Sequence, residues 1–197
     1  MAKVGAGLSV VDMPGHPKVR REWEAHVPTT CGIIFVLDSV DFLPKRVATA
    51  ECVKSVSVAV GLPLLQGCVL VPPTLAGKPA IFLLPRQLYD VLTFPEVVSR
   101  RIPVLIACNK ADLGSRAHSL EFVKRRLEKE LEELRESRAD LDRDCGRDAR
   151  PLAATPGESF TFEEHSALSH CPVIFAATAS NSQDGIADVL KFVGTRL

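Results

Sequence analysis

The sequence predicts an α/β fold: a mostly parallel sheet with helices packed on both faces. Three observations carry that prediction. Short apolar runs such as Cys31-Gly32-Ile33-Ile34-Phe35-Val36-Leu37-Asp38 show no polar alternation, which marks a parallel strand buried on both sides. Stretches of helical period separate these runs, the longest placing Leu120, Val123, Leu127, Leu131 and Leu134 on one face. Two polar motifs follow strands directly, at the place where open α/β sheets hold ligands.

Taken in order, Gly7–Val11 reads as a strand, reached almost at once from Met1-Ala2-Lys3-Val4-Gly5. That beginning is unlike a signal peptide. Pro17 to His26 is a short helix, with Pro17 suited to its first turn. Cys31–Asp38 is the central strand. Asp41 to about Cys52 is helical, and another helical stretch runs from Arg86 or Gln87 towards Ser99, interrupted near Pro95. Val104–Cys108 is the next strand. A long helix follows from about Ser115 to Ser137, and the polar, Pro- and Gly-containing stretch Asp140 to Ser159 reads as a loop. Val173–Ala177 is the last strand, and Ile186, Val189, Leu190 and Val193 define a closing helix. Strands alternating with helices give parallel connections.

A length of 197 residues suits one domain with a real core. The formal net charge is zero, so the basic excess of a general nucleic-acid binder is missing and no direct nucleic-acid contact is expected. Cys31, Cys52, Cys68, Cys108, Cys145 and Cys171 are scattered with no C-x-x-C pair. They read as reduced thiols of a cytosol-facing domain, with Cys31 and Cys108 as small core residues. The most apolar stretch, Val56 to Val71, is short of the ~20 residues of a membrane span and carries Pro63, Gln66 and glycines. Lys124-Arg125-Arg126 reads as the solvated face of the long helix.

The first motif is Asp12-Met13-Pro14-Gly15-His16, after Leu8-Ser9-Val10-Val11; the second is Asn109-Lys110-Ala111-Asp112, after Val104–Cys108. In this order they read as the D-x-x-G and N-K-x-D elements of a guanine-nucleotide-binding domain. A carboxylate at the end of a strand, here Asp12, can hold Mg²⁺ through water, because that ion keeps several of its own waters. Gly15, with no Cβ, lets a backbone N–H approach a terminal phosphate. The Asp112 carboxylate can accept both N–H groups on the Watson–Crick edge of guanine, a pattern adenine does not present. Asn109 can bind the purine's other edge or brace neighbouring loops, and the Lys110 stem can cover the ring face. Thr178-Ala179-Ser180, after the last strand, resembles the short S-A-K-type loop whose backbone amide meets the guanine carbonyl; its register stays open between Thr178 and Ser180.

With these residues in hand, the chain resembles the beta subunit family of the signal recognition particle receptor. The resemblance covers about residues 8–52, 88–138 and, more loosely, 160–197. It includes Leu88-Tyr89-Asp90-Val91-Leu92-Thr93 and the Leu-Glu-Lys-Glu-Leu-Glu-Glu-Leu-Arg core of Leu120 to Arg138. It implies a small GTPase of P-loop NTPase type, related to the Arf and Sar branch, on the cytosolic face of the endoplasmic reticulum membrane. It also implies GTP and Mg²⁺ as cofactors and the receptor alpha subunit as partner, with the ribosome–nascent-chain machinery reached indirectly. Asp12 and Gly15 would face the Mg²⁺ and γ-phosphate; Asn109, Lys110, Asp112, Thr178, Ala179 and Ser180 would hold the base. His16 stands where many GTPases orient the attacking water, or else is a loop histidine at the partner interface. A nucleotide-free adaptor that keeps the fold is the alternative. An Arf- or Sar-like traffic GTPase is a further one, which His16 in place of glutamine speaks against.

Two departures qualify the resemblance. G-x-x-x-x-G-K-[ST] occurs nowhere; Gly77-Lys78 is followed by Pro79 and lacks the upstream glycine. The expectation is therefore a partial GTPase domain over residues 1–197, lacking the first strand and the phosphate-binding loop, with GTP and Mg²⁺ binding weakened or lost. Such a sheet would expose a central edge. Residues 53–87, rich in Val, Leu, Pro and Gly, have no family counterpart and read as an insert, either translated intron or a lineage-specific loop.

Overall fold

The structure, a computed structural model, describes residues 3–4, 8–13, 22–40, 67–70, 84–145, 152–155, 157–181 and 184–195. The strands are β1 (Lys3–Val4), β2 (Leu8–Val11), β3 (Thr30–Asp38), β4 (Gly67–Leu70), β5 (Val104–Asn109) and β6 (Val173–Ala177). The helices are α1 (Leu84–Leu92), α2 (Pro95–Ser99), α3 (Leu120–Cys145), α4 (Phe162–Ser169) and α5 (Ala187–Gly194). One six-stranded sheet has the order β1-β2-β4-β3-β5-β6. Only the β1–β2 pair is antiparallel; β2–β4, β4–β3, β3–β5 and β5–β6 all run parallel.

The continuous apolar runs have the predicted cause. Ile33, Phe35 and Leu37 of β3, with Val104, Ile106 and Cys108 of β5, enter a core with Leu88, Val91, Leu92, Val123, Leu127 and Leu131 of α1 and α3. The intervening Ile34, Leu105 and Ala107 meet Phe192 and Val193 of α5 on the opposite face. Both faces are covered, so alternation has no reason to appear. Each fully buried Leu of α3 contributes about 1.5–3 kcal/mol relative to exposure.

Several expectations shift. Residues 22–29 form a 3₁₀ segment, which ends the predicted first helix region at Thr29 rather than His26. Arg100, just past α2, ties that segment down: Nη1 donates to Val27 O at 2.5 Å and Nη2 to Thr30 O at 2.9 Å. The long helix begins at Leu120, where the Ser119 hydroxyl accepts from Phe122 N–H, and not near Ser115. It continues to Cys145, into the stretch read as loop. The unforeseen α4 is started by Thr161, whose side chain accepts from Glu164 N–H. On α5, Phe192 and Val193 are buried while Leu190 is exposed. The predicted helix 41–52 lies outside the described residues.

The expected open edge is filled. β4 comes from within 53–87 and lies between β2 and β3, pairing Ser9 and Thr30 with Gly67, and Val10 and Gly32 with Cys68. Two neighbouring strands with unpaired backbone groups are costly, and an apolar four-residue segment satisfies both ladders.

Candidate functional site

Because β2 to β6 are parallel, their carboxyl ends share one edge of the sheet, which gathers Asp12, Asp38, Asn109 and Thr178. At Asn109 the chain leaves β5 through Lys110, whose φ of 67° and ψ of 27° are left-handed. Such a residue costs roughly 1–2 kcal/mol in an L-amino acid. A 3₁₀ segment over Ala111–Arg116 follows, kinked at Gly114, where φ is 53° and ψ is −116°.

This loop is stitched to the one after β6. Ala111 N–H donates to Thr178 O at 3.0 Å, and Thr178 N–H to Cys108 O at 2.9 Å. Ser180 N–H donates to Asn109 Oδ1 at 3.2 Å, and Asn181 Nδ2 to Asp112 Oδ2 at 2.9 Å. Asn109 thus braces the neighbouring loop, one of the two roles its sequence position allows. Asp112 is exposed at the same edge, with its carboxylate turned to an amide donor. Ala179 N–H donates to Gly185 O at 2.8 Å, so the amides of both Ala179 and Ser180 are engaged within the chain. Donation from either to a guanine carbonyl requires an exchange of partners.

On the β3 side, Ser39 N–H donates to Asn109 O at 3.0 Å and His118 N–H to Ser39 O at 2.8 Å, so the turn after β3 grips both ends of the loop. The Lys110 ammonium pairs with Asp38, a residue the sequence reading did not single out. Beneath the loop, burial pushes the Cys108 thiol up to about 12, which leaves it protonated and unreactive. A cavity of about 250 Å³ is bounded by Ser39, Cys108, His118 and Ala177. None of Asp12, Asn109, Lys110 and Asp112 lines it.

Asp12 follows β2 directly and is exposed. Three strand spacings of ~4.8 Å separate β2 from β5, roughly 14 Å in all. At that separation Asp12 does not touch the loops that follow β5 and β6. The described residues hold no cluster of three or more His, Cys, Asp or Glu that could cage a metal by itself. Gly15 and His16 lie outside the described residues.

Residues 80–167 match the sequence profile of a family described as the signal recognition particle receptor beta subunit. Over that stretch the chain is similar to those subunits. A receptor subunit beta of Dictyostelium discoideum is 28% identical over 131 residues, covering 66% of this chain and 33% of the relative. The chain thus spans about a third of the curated relative it matches. Among solved structures, the receptor SRb-GDP-Mg from Chaetomium thermophilum aligns with a TM-score of 0.62 at 22% identity, over 95% of this chain and 80% of that one. The SRb-GTP/SRX complex from the same organism gives 0.58 at 22% identity, over 94% and 66%. These likenesses establish the fold alone, as that of the solved SRb chains. The profile match begins at residue 80, inside the stretch read as insert.

Proposed function

We propose that this chain is a guanine-nucleotide-binding subunit of a signal recognition particle receptor, serving to hold the alpha subunit at the endoplasmic reticulum for co-translational targeting. The observation that carries the reading is the junction of the two base loops: Asn109 and Asp112 bonded to Ser180 and Asn181 at the carboxyl edge of the sheet. In this reading Asp112 selects guanine, Asn109 and Thr178–Ser180 shape the rim, and Lys110 covers the ring. Asp12 and Gly15 face Mg²⁺ and the terminal phosphate, and His16 faces the attacking water. The relatives solved as SRb-GDP-Mg and as SRb-GTP/SRX support the ligand and partner classes. No helix among the described residues is long and apolar enough to cross a membrane.

Titration with a fluorescent GTP analogue, with and without Mg²⁺ and against ADP as competitor, tests the reading. GDP is expected to compete and ADP not. Asp112→Asn removes the charged acceptor, and at about 1.5–3 kcal/mol for a hydrogen bond to a charged group, guanine affinity falls roughly 10- to 100-fold. The same variant gains affinity for xanthine nucleotides, whose edge matches an amide. Equal affinity for GDP and ADP, or none for either, overturns the reading in favour of a nucleotide-free adaptor. The mixed status of residues 53–87 is settled separately by sequencing the transcript across both junctions.

A further inference from the structure

The Asp38 carboxylate is 9% exposed, at the last position of β3, in direct register with Asn109. A carboxylate so placed is costly unless its oxygens find donors. Oδ1 accepts from Val40 N–H at 2.9 Å, closing a tight turn, and Oδ2 accepts from the Lys110 ammonium. The lysine is 41% exposed and leaves β5 in a left-handed conformation, so nothing in its own backbone dictates where the stem goes. The pairing does. It draws the ammonium from the end of β5 to the end of β3 and lays the four-carbon stem across the gap between the two strands.

We propose that Asp38 is a positioning residue: it holds Lys110 so that the aliphatic stem forms a fixed wall for a planar purine ring, and it thereby sets how long a nucleotide stays. Base choice remains with Asp112. The inference rests on the guanine-nucleotide reading for its consequence, but the link between the two side chains stands on geometry alone. A free lysine stem would have to be ordered each time a ring arrived; one already pinned loses less rotamer freedom on binding.

Asp38→Asn isolates the effect, since its amide oxygen can still accept from Val40 N–H while its nitrogen no longer attracts an ammonium. Two readouts are taken on the full chain. In the first, brief treatment with an amine-acetylating reagent is followed by peptide mass analysis, and Lys110 is expected to label several-fold faster in Asp38→Asn than in the parent. In the second, fluorescent GDP is chased with unlabelled GDP, and release is expected about 10-fold faster, with the preference for GDP over ADP retained. In a Lys110→Met background, Asp38→Asn should add nothing to release. Should Asp38→Asn fail to fold, Lys110→Met, which keeps an unbranched apolar stem without the ammonium, reads the same link from its exposed end and should also speed release.

Unchanged Lys110 labelling overturns the proposal, as does unchanged release or an Asp38→Asn effect that persists without Lys110. Faster labelling in a chain that retains no guanine nucleotide overturns the nucleotide reading instead and leaves the link between Asp38 and Lys110 in place.

Discussion

Gly114 carries the sharpest stability test of the site's scaffold. Its φ of 53° with ψ of −116° lies where a side chain is strained, and an added Cβ would meet nothing within 4 Å. Gly114→Ala therefore meets no steric clash, and its effect is backbone strain in the folded chain set against the entropy lost by the unfolded one. Residues held in such regions cost about 1–3 kcal/mol. Removing a glycine from the unfolded chain returns roughly 0.4–1 kcal/mol. At mid-range the net loss is about 1.3 kcal/mol. For a chain of this size each kcal/mol moves the melting temperature by roughly 2–4 °C, so Tm should fall by about 3–5 °C. Urea unfolding followed by circular dichroism reads the loss as a lower midpoint at constant slope. Hydrogen exchange should localise faster opening to residues 111–118. Gly157→Ala, with φ of 88° and equally open surroundings, is the matched control outside the site. Were Gly114→Ala as stable as the parent, or more so, the strained turn that presents Asp112 would be refuted.

Two further outcomes follow from groups outside the site. Arg100→Met keeps the stem and removes the fork to Val27 O and Thr30 O; the loss should be about 1–3 kcal/mol in urea unfolding, discounted for exposure of the arginine. His165 is buried against Phe160, and burial lowers its pKa from 6.5 while a hydrogen bond to the Ala153 backbone acts in the opposite direction. The unfolded chain then takes up the proton more readily, so this stability is present above about pH 6.5 and is lost as pH falls through the lower folded value. The urea midpoint should drop from pH 7.5 to pH 5 in the parent and change less in His165→Leu.

Much of this architecture was readable from residue order, for reasons that differ by element. β3 and β5 were legible nearly to the residue because strands buried on both faces print as unbroken apolar runs. The apolar face of α3 was legible, but its start was not. Ser115 looks as helical as Ser119, and only the hydroxyl of Ser119 on Phe122 N–H separates turn from helix. The missed α4 did carry a signal: Thr161-Phe162-Glu163-Glu164 is a capping-box sequence. β4 could not be read, since Gly67-Cys68-Val69-Leu70 sits in a long apolar stretch without period, and its status as a strand comes from the two ladders flanking it. The base motif was evident as a string, whereas Asp38 was not. A carboxylate closing a strand gives no sign of an ammonium 72 positions away.

The sheet order has a mechanical consequence. β3, β5 and β6 form an unbroken ladder, whereas β2 is hydrogen-bonded to it only through the four residues of β4. The strand that carries Asp12 is thus tied to the others by one short ladder and by the packing of Val10 and Met13. Weakening that ladder should loosen the Asp12 end of the carboxyl edge and spare the Asn109 end. Under the proposed function, base recognition and phosphate contact would then fail independently.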